Sequence, residues 1–125
     1  AVARERAPTQ VWLQADLAGL DLAADGHGPF DLVVAAGNVI PFLAEGTEPD
    51  VVARLAAHLA EGGLLVCGFG LDDAHLPSAA ARHRLADYDG WCTAAGLTLE
   101  RRLATWNGEP YAGGGYAVSI HRRRA

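Results

Sequence analysis

Three groups of side chains in this sequence have types and spacings suited to chemistry. The first is Asp16 with Leu17 behind it, directly after the β-prone run Val11-Trp12-Leu13-Gln14. An ionised carboxylate only accepts hydrogen bonds, so Asp16 suits a ligand that presents a donor such as an amine. The plainer alternative is an acid that ends a strand or caps a turn. The second group is Ala36-Gly37-Asn38, which closes the apolar run Phe30-Asp31-Leu32-Val33-Val34-Ala35. Small residues there let the backbone approach a ligand closely, Gly37 can adopt positive φ, and Asn38 offers both a donor and an acceptor. A Gly-Asn turn from strand to loop, with no ligand at all, is the alternative. The third group is His75 and His83, in the long polar segment from Gly70 to Arg84. An imidazole titrates near neutrality and could serve as general base for a hydroxyl or amine, or be an ordinary surface histidine.

Aromatic residues could complete such a site. Phe42, Phe69, Trp106 and Tyr111 are candidates to line an acceptor pocket, and the segment from Gly70 to Arg84 is long enough to form a lid. Cys67 lies inside an apolar run and reads as a buried structural thiol. The histidines are scattered, and Asp72-Asp73 with His75 is only a local cluster, so no metal site is expected. His58 reads as solvated on the polar face of a helix, and Arg122-Arg123-Arg124 as a solvated basic terminus.

Positioning these groups requires a frame, and the apolar runs supply one. Phe30 to Ala36 and Gly63 to Phe69 are nearly continuous in apolar residues instead of alternating, as expected of strands buried on both faces of a parallel sheet. Between them, Thr47 and Asp50 occupy capping-box positions, and Val51, Val52, Leu55 and Leu59 form the apolar stripe of a helix that Gly62-Gly63 would stop. A second helix containing Leu85, Tyr88, Trp91 and Cys92 ends at Ala95 with Gly96 as its cap, weakened midway by Gly90. Leu97 to Trp106 and Gly115 to Arg122 form a closing antiparallel hairpin, the second run alternating with period two. The order strand, strand, helix, strand, helix, strand, strand describes one layered α/β unit.

Composition sets the outer bounds. A chain of 125 residues with net charge −5 and 50% hydrophobic content can bury a core without a disulfide or metal. Its two cysteines form no CxxC pair, which favours a reducing, cytoplasmic setting. The acidic balance argues against a nucleic-acid partner held by phosphate contacts, and no apolar run is long enough to cross a membrane. All ten positive charges are arginine, which points to a GC-rich coding sequence, and methionine is absent, so the sequence is expected to be the back part of a longer protein.

The segments Gln14-Ala15-Asp16-Leu17, Phe30 to Leu43, Leu59-Ala60-Glu61-Gly62-Gly63-Leu64-Leu65-Val66 and Trp91 to Leu97, with the terminal hairpin, resemble the C-terminal two-thirds of a class I S-adenosylmethionine-dependent methyltransferase. The resemblance implies an α/β, Rossmann-like three-layer sandwich with a mostly parallel sheet of order 3-2-1-4-5-7-6, strand 7 antiparallel. Mapped here, Val11 to Gln14 would be strand 3, Phe30 to Ala36 strand 4, Gly63 to Phe69 strand 5, and the hairpin strands 6 and 7. Ala1 to Ala7 would be the tail of the helix before strand 3. Residues 1–125 would form a partial domain, strands 3 to 7, lacking strands 1 and 2 with the glycine-rich turn that cradles the cofactor's methionine end.

The resemblance further implies S-adenosylmethionine as cofactor. Asp16 would accept from the adenine amine with Leu17 at the ring edge, and Ala36, Gly37 and Asn38 would line the cofactor edge. No (Asp/Asn)-Pro-Pro-(Tyr/Phe) motif stands at this strand end, since Val39 and Ile40 replace the prolines, so a small-molecule acceptor is expected over a DNA base. The complete parent would be the active enzyme, and these 125 residues alone would bind the cofactor weakly and be inactive. The catalytic residues are not assigned. Two rival readings stand beside this one: a non-catalytic scaffold that self-associates through exposed strand edges as a homodimer, and a nucleotide-dependent oxidoreductase of Rossmann type.

Overall fold

A computed structural model describes residues 2–77 and 80–124. The apolar run that begins at Phe30 forms β1 (Phe30–Ala35), and α2 (Glu48–Ala57) carries the chain back to β2 (Leu59–Gly70), which pairs parallel with β1. A short α1 (Val2–Arg6) precedes them. After β2 come α3 (Leu85–Ala94), β3 (Leu97–Leu103) and β4 (Tyr116–Arg123). The sheet order is β1-β2-β4-β3, with β4 antiparallel to both of its neighbours. This is the 4-5-7-6 half of the expected order, in an open and incomplete Rossmann-like sheet.

Alternation along β2 decides where the core lies. Leu65, Cys67 and Phe69 are buried on one face with Val51, Val52 and Leu55 of α2 and with Tyr88 and Cys92 of α3. Both helices therefore cover the same side of the sheet. On the opposite side Leu32 and Val34 of β1 remain 54% and 51% exposed, so β1 is not buried on both faces as expected: of the three expected layers the described residues supply the sheet and one helical layer. Burial of Cys67 pushes its thiol pKa up to about 11, and that of Cys92 to about 12, which leaves both as apolar fillers and not nucleophiles.

Several local expectations give way to tertiary contacts. Val11 to Gln14 forms no strand, and Val11 and Leu13 are exposed. An extended run counts as a strand only when a neighbour takes its backbone bonds, and no such neighbour lies among the described residues. Thr47 does not cap α2 through its side chain, because its backbone is already helical and its hydroxyl donates to the Ala44 carbonyl at 2.6 Å. The helix stops at Ala57, so Leu59 to Glu61 belong to β2. Gly62 is left-handed (φ 75°) as expected, yet it serves a slip in the β1–β2 register between Phe30 and Leu32. Gly96 (φ 84°) does end α3.

His58 is buried. Its Nε2 accepts the Leu22 N–H at 2.9 Å, which leaves Nδ1–H to donate to the Arg54 carbonyl at 2.6 Å and sets a neutral tautomer. The three terminal arginines are clamps as well. Arg122 grips Glu100 with two nitrogens at 2.8 and 2.9 Å and donates to the Gly62 carbonyl. Arg123 donates to the Leu59 carbonyl and Arg124 to that of Gly96. Ala1, at the head of the expected helix tail, and residues 78 and 79 of the expected lid lie outside the described residues.

Candidate active site

Parallel pairing brings the C-terminal ends of β1 and β2 to one edge of the sheet, and the antiparallel order adds the start of β4 and the end of β3. Such an edge collects loops from four strands, and open α/β sheets bind their ligands there. At the end of β1, Ala36 and Gly37 are exposed, and Gly37 (φ 80°) and Asn38 (φ 62°) are both left-handed. Nothing lies within 4 Å of the point where a Gly37 side chain would begin. The chain thus turns sharply away and leaves open space in front of the strand. Asn38 Oδ1 accepts the Gly70 N–H at 2.7 Å, tying this turn to the end of β2.

The loop after β2 folds back over the same edge. Leu71 N–H donates to the Gly115 carbonyl at 2.7 Å, which extends the pairing past β4. Asp72 Oδ1 lies 2.7 Å from His75 Nδ1 and 3.2 Å from the His75 N–H. That bond holds the Asp72 carboxyl below its ordinary range. Three glycines make room for this arrangement. A Cβ on Gly115 would stand 2.0 Å from Asp72 Oδ2 and 2.6 Å from His75 Nδ1, and one on Gly70 would stand 2.5 Å from the His75 carbonyl. One on Gly68 would stand 2.4 Å from the Trp106 ring and 2.8 Å from the Tyr116 hydroxyl. Trp106 Nε1–H donates to that hydroxyl at 2.9 Å, and the His75 and Tyr116 rings are 6.3 Å apart.

The other expected site residues fall in different places. Phe42 ends the 3₁₀ turn Ile40–Phe42 that follows β1, and is 54% exposed. Phe69 is 1% exposed and packs edge-on to Tyr88 at 5.3 Å, so it belongs to the core and does not line a pocket. Strand alternation explains this: Gly68 and Gly70 face the open side, and the residue between them must face the helices. His83 is not a surface histidine. It meets Glu48, the first residue of α2, at 2.9 Å, with both side chains only 9% exposed, and it stacks edge-on with Trp91. The His83 bond pulls the Glu48 pKa down. With the Ala81 N–H on the Pro41 carbonyl, this pair pins the expected lid segment against the start of α2. Tyr111 spends its hydroxyl on the Gly114 carbonyl, inside the hairpin loop.

Asp16 takes up a turn-capping geometry, accepting the Ala18 N–H at 3.2 Å before the 3₁₀ turn Leu17–Gly19. Its carboxylate is exposed, while Leu17 packs on the core. Downstream, Leu20 meets Arg54 and Leu22 meets His58. The segment therefore runs alongside α2 in the same direction, with Asp16 toward the N-terminal end of that helix. Among the described residues no group of three or more His, Cys, Asp or Glu side chains is placed to hold a metal, and no helix is long and apolar enough to cross a membrane.

Sequence reasoning missed Asp72 as the partner of His75, and missed Tyr116, Gly68 and Gly115. One signal was available. Gly68-Phe69-Gly70 leaves one face of a central strand bare on alternate residues, which is room for something packed from above.

No protein-family profile and no curated protein matches the sequence. Solved structures do. The chain aligns with a TehB-like S-adenosylmethionine-dependent methyltransferase from Corynebacterium glutamicum at TM-score 0.81 and 27% identity, over 98% of this chain and 61% of that one. This chain has the class I S-adenosylmethionine-dependent methyltransferase fold. The CcbJ methyltransferase of Streptomyces caelestis shares that fold at TM-score 0.77 and 21% identity, over 98% of this chain and 69% of that one. The N-methyltransferase NodS of Bradyrhizobium japonicum does so at TM-score 0.71 and 18% identity, over 98% and 66%. This methyltransferase fold is incomplete here, since the chain spans 61% of the length of the C. glutamicum protein.

Proposed function

We propose that the complete parent protein transfers a methyl group from S-adenosylmethionine to a small-molecule acceptor. The observation that carries this reading is the pair of left-handed residues Gly37 and Asn38 at the end of β1. They hold the sheet edge open in a chain whose fold matches methyltransferases along nearly its whole length. In this reading Ala36 and Gly37 allow the cofactor close to the backbone. Asn38, its oxygen committed to Gly70, holds the β1 and β2 loops together beside it and keeps its amide N–H groups for the ligand. Asp16 accepts from the adenine amine and Leu17 supports the ring. An activated sulfonium asks the protein mainly to align donor and acceptor and to exclude water.

Calorimetry with S-adenosylhomocysteine on the complete parent protein tests this. Binding is expected, and Asp16→Ala should weaken it about 10- to 100-fold, the worth of a hydrogen bond to a charged group. Absence of binding to the unaltered protein refutes the reading. The exposed Leu32 and Val34 on the edge strand β1 favour one other role, self-association through the open sheet face. Light scattering that finds a dimer without cofactor binding would favour it.

A further inference from the structure

We propose that His75 is the general base of the reaction, with Asp72 as its positioning residue, and that the acceptor is a phenolic hydroxyl. This inference rests on the methyltransferase reading above. Asp72 Oδ1 sits 2.7 Å from His75 Nδ1 while accepting the His75 backbone N–H at 3.2 Å, so the carboxylate sets both the turn and the tautomer. Nδ1–H donates to the carboxylate, and Nε2 carries the free lone pair. The side chains are 47% and 46% exposed, which leaves Nε2 open to a substrate. An ordinary turn would explain the Asp72 bond alone. It does not explain why Gly70, the last residue of β2, and Gly115, just before β4, both lack a Cβ where His75 and Asp72 rest. The pair is seated on the sheet edge and not merely looped out from it.

The site connects to the cofactor edge in one step. Gly70, which carries the His75 carbonyl on one side, donates its N–H to Asn38 Oδ1 on the other. Trp106, 47% exposed, is hydrogen-bonded to Tyr116, whose half-buried ring lies 6.3 Å from the imidazole, so two aromatic rings stand beside the base, and Phe42 is a further exposed ring on this edge. A planar ring suits those neighbours. Of the other charged groups in the loop, Asp73 pairs with Arg82, which also feels the Asp72 carboxylate, and Arg84 pairs with Asp87. In the step itself the phenolic oxygen attacks the sulfonium methyl and its proton passes to His75 Nε2. The new O–C bond forms as the C–S bond breaks, and sulfur keeps the electron pair as a neutral thioether. The Asp72 carboxylate offsets the imidazolium until its proton leaves to water.

Phenol and 4-nitrophenol separate base catalysis from binding, because the second is ionised without help at mildly alkaline pH. With the complete parent protein and S-adenosylmethionine, His75→Ala should lower kcat for phenol by about 100-fold or more, the usual worth of a placed base. KM should change little, and 4-nitrophenol methylation should fall far less. Asp72→Asn, which keeps the turn acceptor but removes the charge, should lower kcat for phenol with KM nearly unchanged. The acid limb of the pH–rate profile should vanish in His75→Ala. Calorimetry with S-adenosylhomocysteine on each variant separates misfolding from lost chemistry. Equal losses for both phenols, unchanged phenol turnover in His75→Ala, or a wild-type protein that binds S-adenosylhomocysteine yet methylates neither phenol would each overturn the inference and leave the methyltransferase reading standing. Failure of the wild-type protein to bind S-adenosylhomocysteine removes that reading and this one with it.

Discussion

Gly115→Ala is a one-methyl perturbation that displaces the Asp72–His75 pair without touching either residue. The new Cβ would begin 2.0 Å from Asp72 Oδ2 and 2.6 Å from His75 Nδ1, where Cβ atoms keep at least 3.0 Å. The carboxylate must therefore retreat by about 1 Å, since contacts that short lie on the repulsive wall. Gly115 does not have positive φ, so alanine fits its backbone, and what must yield is a half-exposed side chain instead of packed core. The cost to folding should stay below about 1 kcal/mol, within the range of surface substitutions. The cost to function should be larger, because a misplacement of about 1 Å in a catalytic group can cost about 100-fold in rate. Gly114→Ala is the matched control: it lies one residue away, without positive φ, and nothing stands within 4 Å of its Cβ. The assay is phenol methylation by the complete parent protein, with thermal unfolding measured alongside. Wild-type turnover in Gly115→Ala, or an equal loss in Gly114→Ala, would show that the glycine makes no room for a working pair.

Two further predictions concern stability. Gly90 sits inside α3 with nothing within 4 Å of a Cβ, so Gly90→Ala should stabilise the fold by about 0.5–1 kcal/mol and raise Tm by a few degrees; an unchanged or lowered Tm would count against the helix as described. His121 is buried against Tyr88, Asp89, Arg102 and Ser119, and burial lowers its pKa below 6.5 despite the Asp89 carboxylate 3.2 Å away. The folded protein thus resists a proton that the unfolded chain accepts, and the stability His121 contributes is complete above pH 6.5 and lost as pH falls through its folded value. Glu48, whose pKa is pulled below 4.5, begins to act only further down. Urea midpoints should therefore fall between neutral pH and the carboxylate range, and His121→Gln should flatten that fall; an equal slope in the variant would assign the proton elsewhere.

The elements legible in the sequence are those whose formation rests on local or nearest-neighbour patterns. Phe30 to Ala35 and the following strand read as parallel because apolar runs bracket a helix, and Gly96 ends α3 because a left-handed stop needs glycine. The hairpin was legible from its period-two alternation. The turn after β1 was legible too, because Gly37 at the strand end can take the positive φ that a sharp turn needs. What side chains meet across the fold was not. His58 and His83 look alike in sequence to any solvated histidine, and only packing put Leu22 and Glu48 against them.

Sequence by itself determined the order of strands and helices from Phe30 onward and the sharp turn at Gly37-Asn38, since each follows from backbone preference and apolar spacing within a few residues. Tertiary structure decided the rest. Val11 to Gln14 has the composition of a strand and is not one, because a β bond needs a second chain segment to accept it. The arginines of the terminus became clamps because carbonyls of Ala56, Leu59, Gly62 and Gly96 happen to converge there. Asp72 and His75 became a seated pair only when β4 laid Gly115 beneath them, a contact across 40 residues of chain that no local pattern encodes.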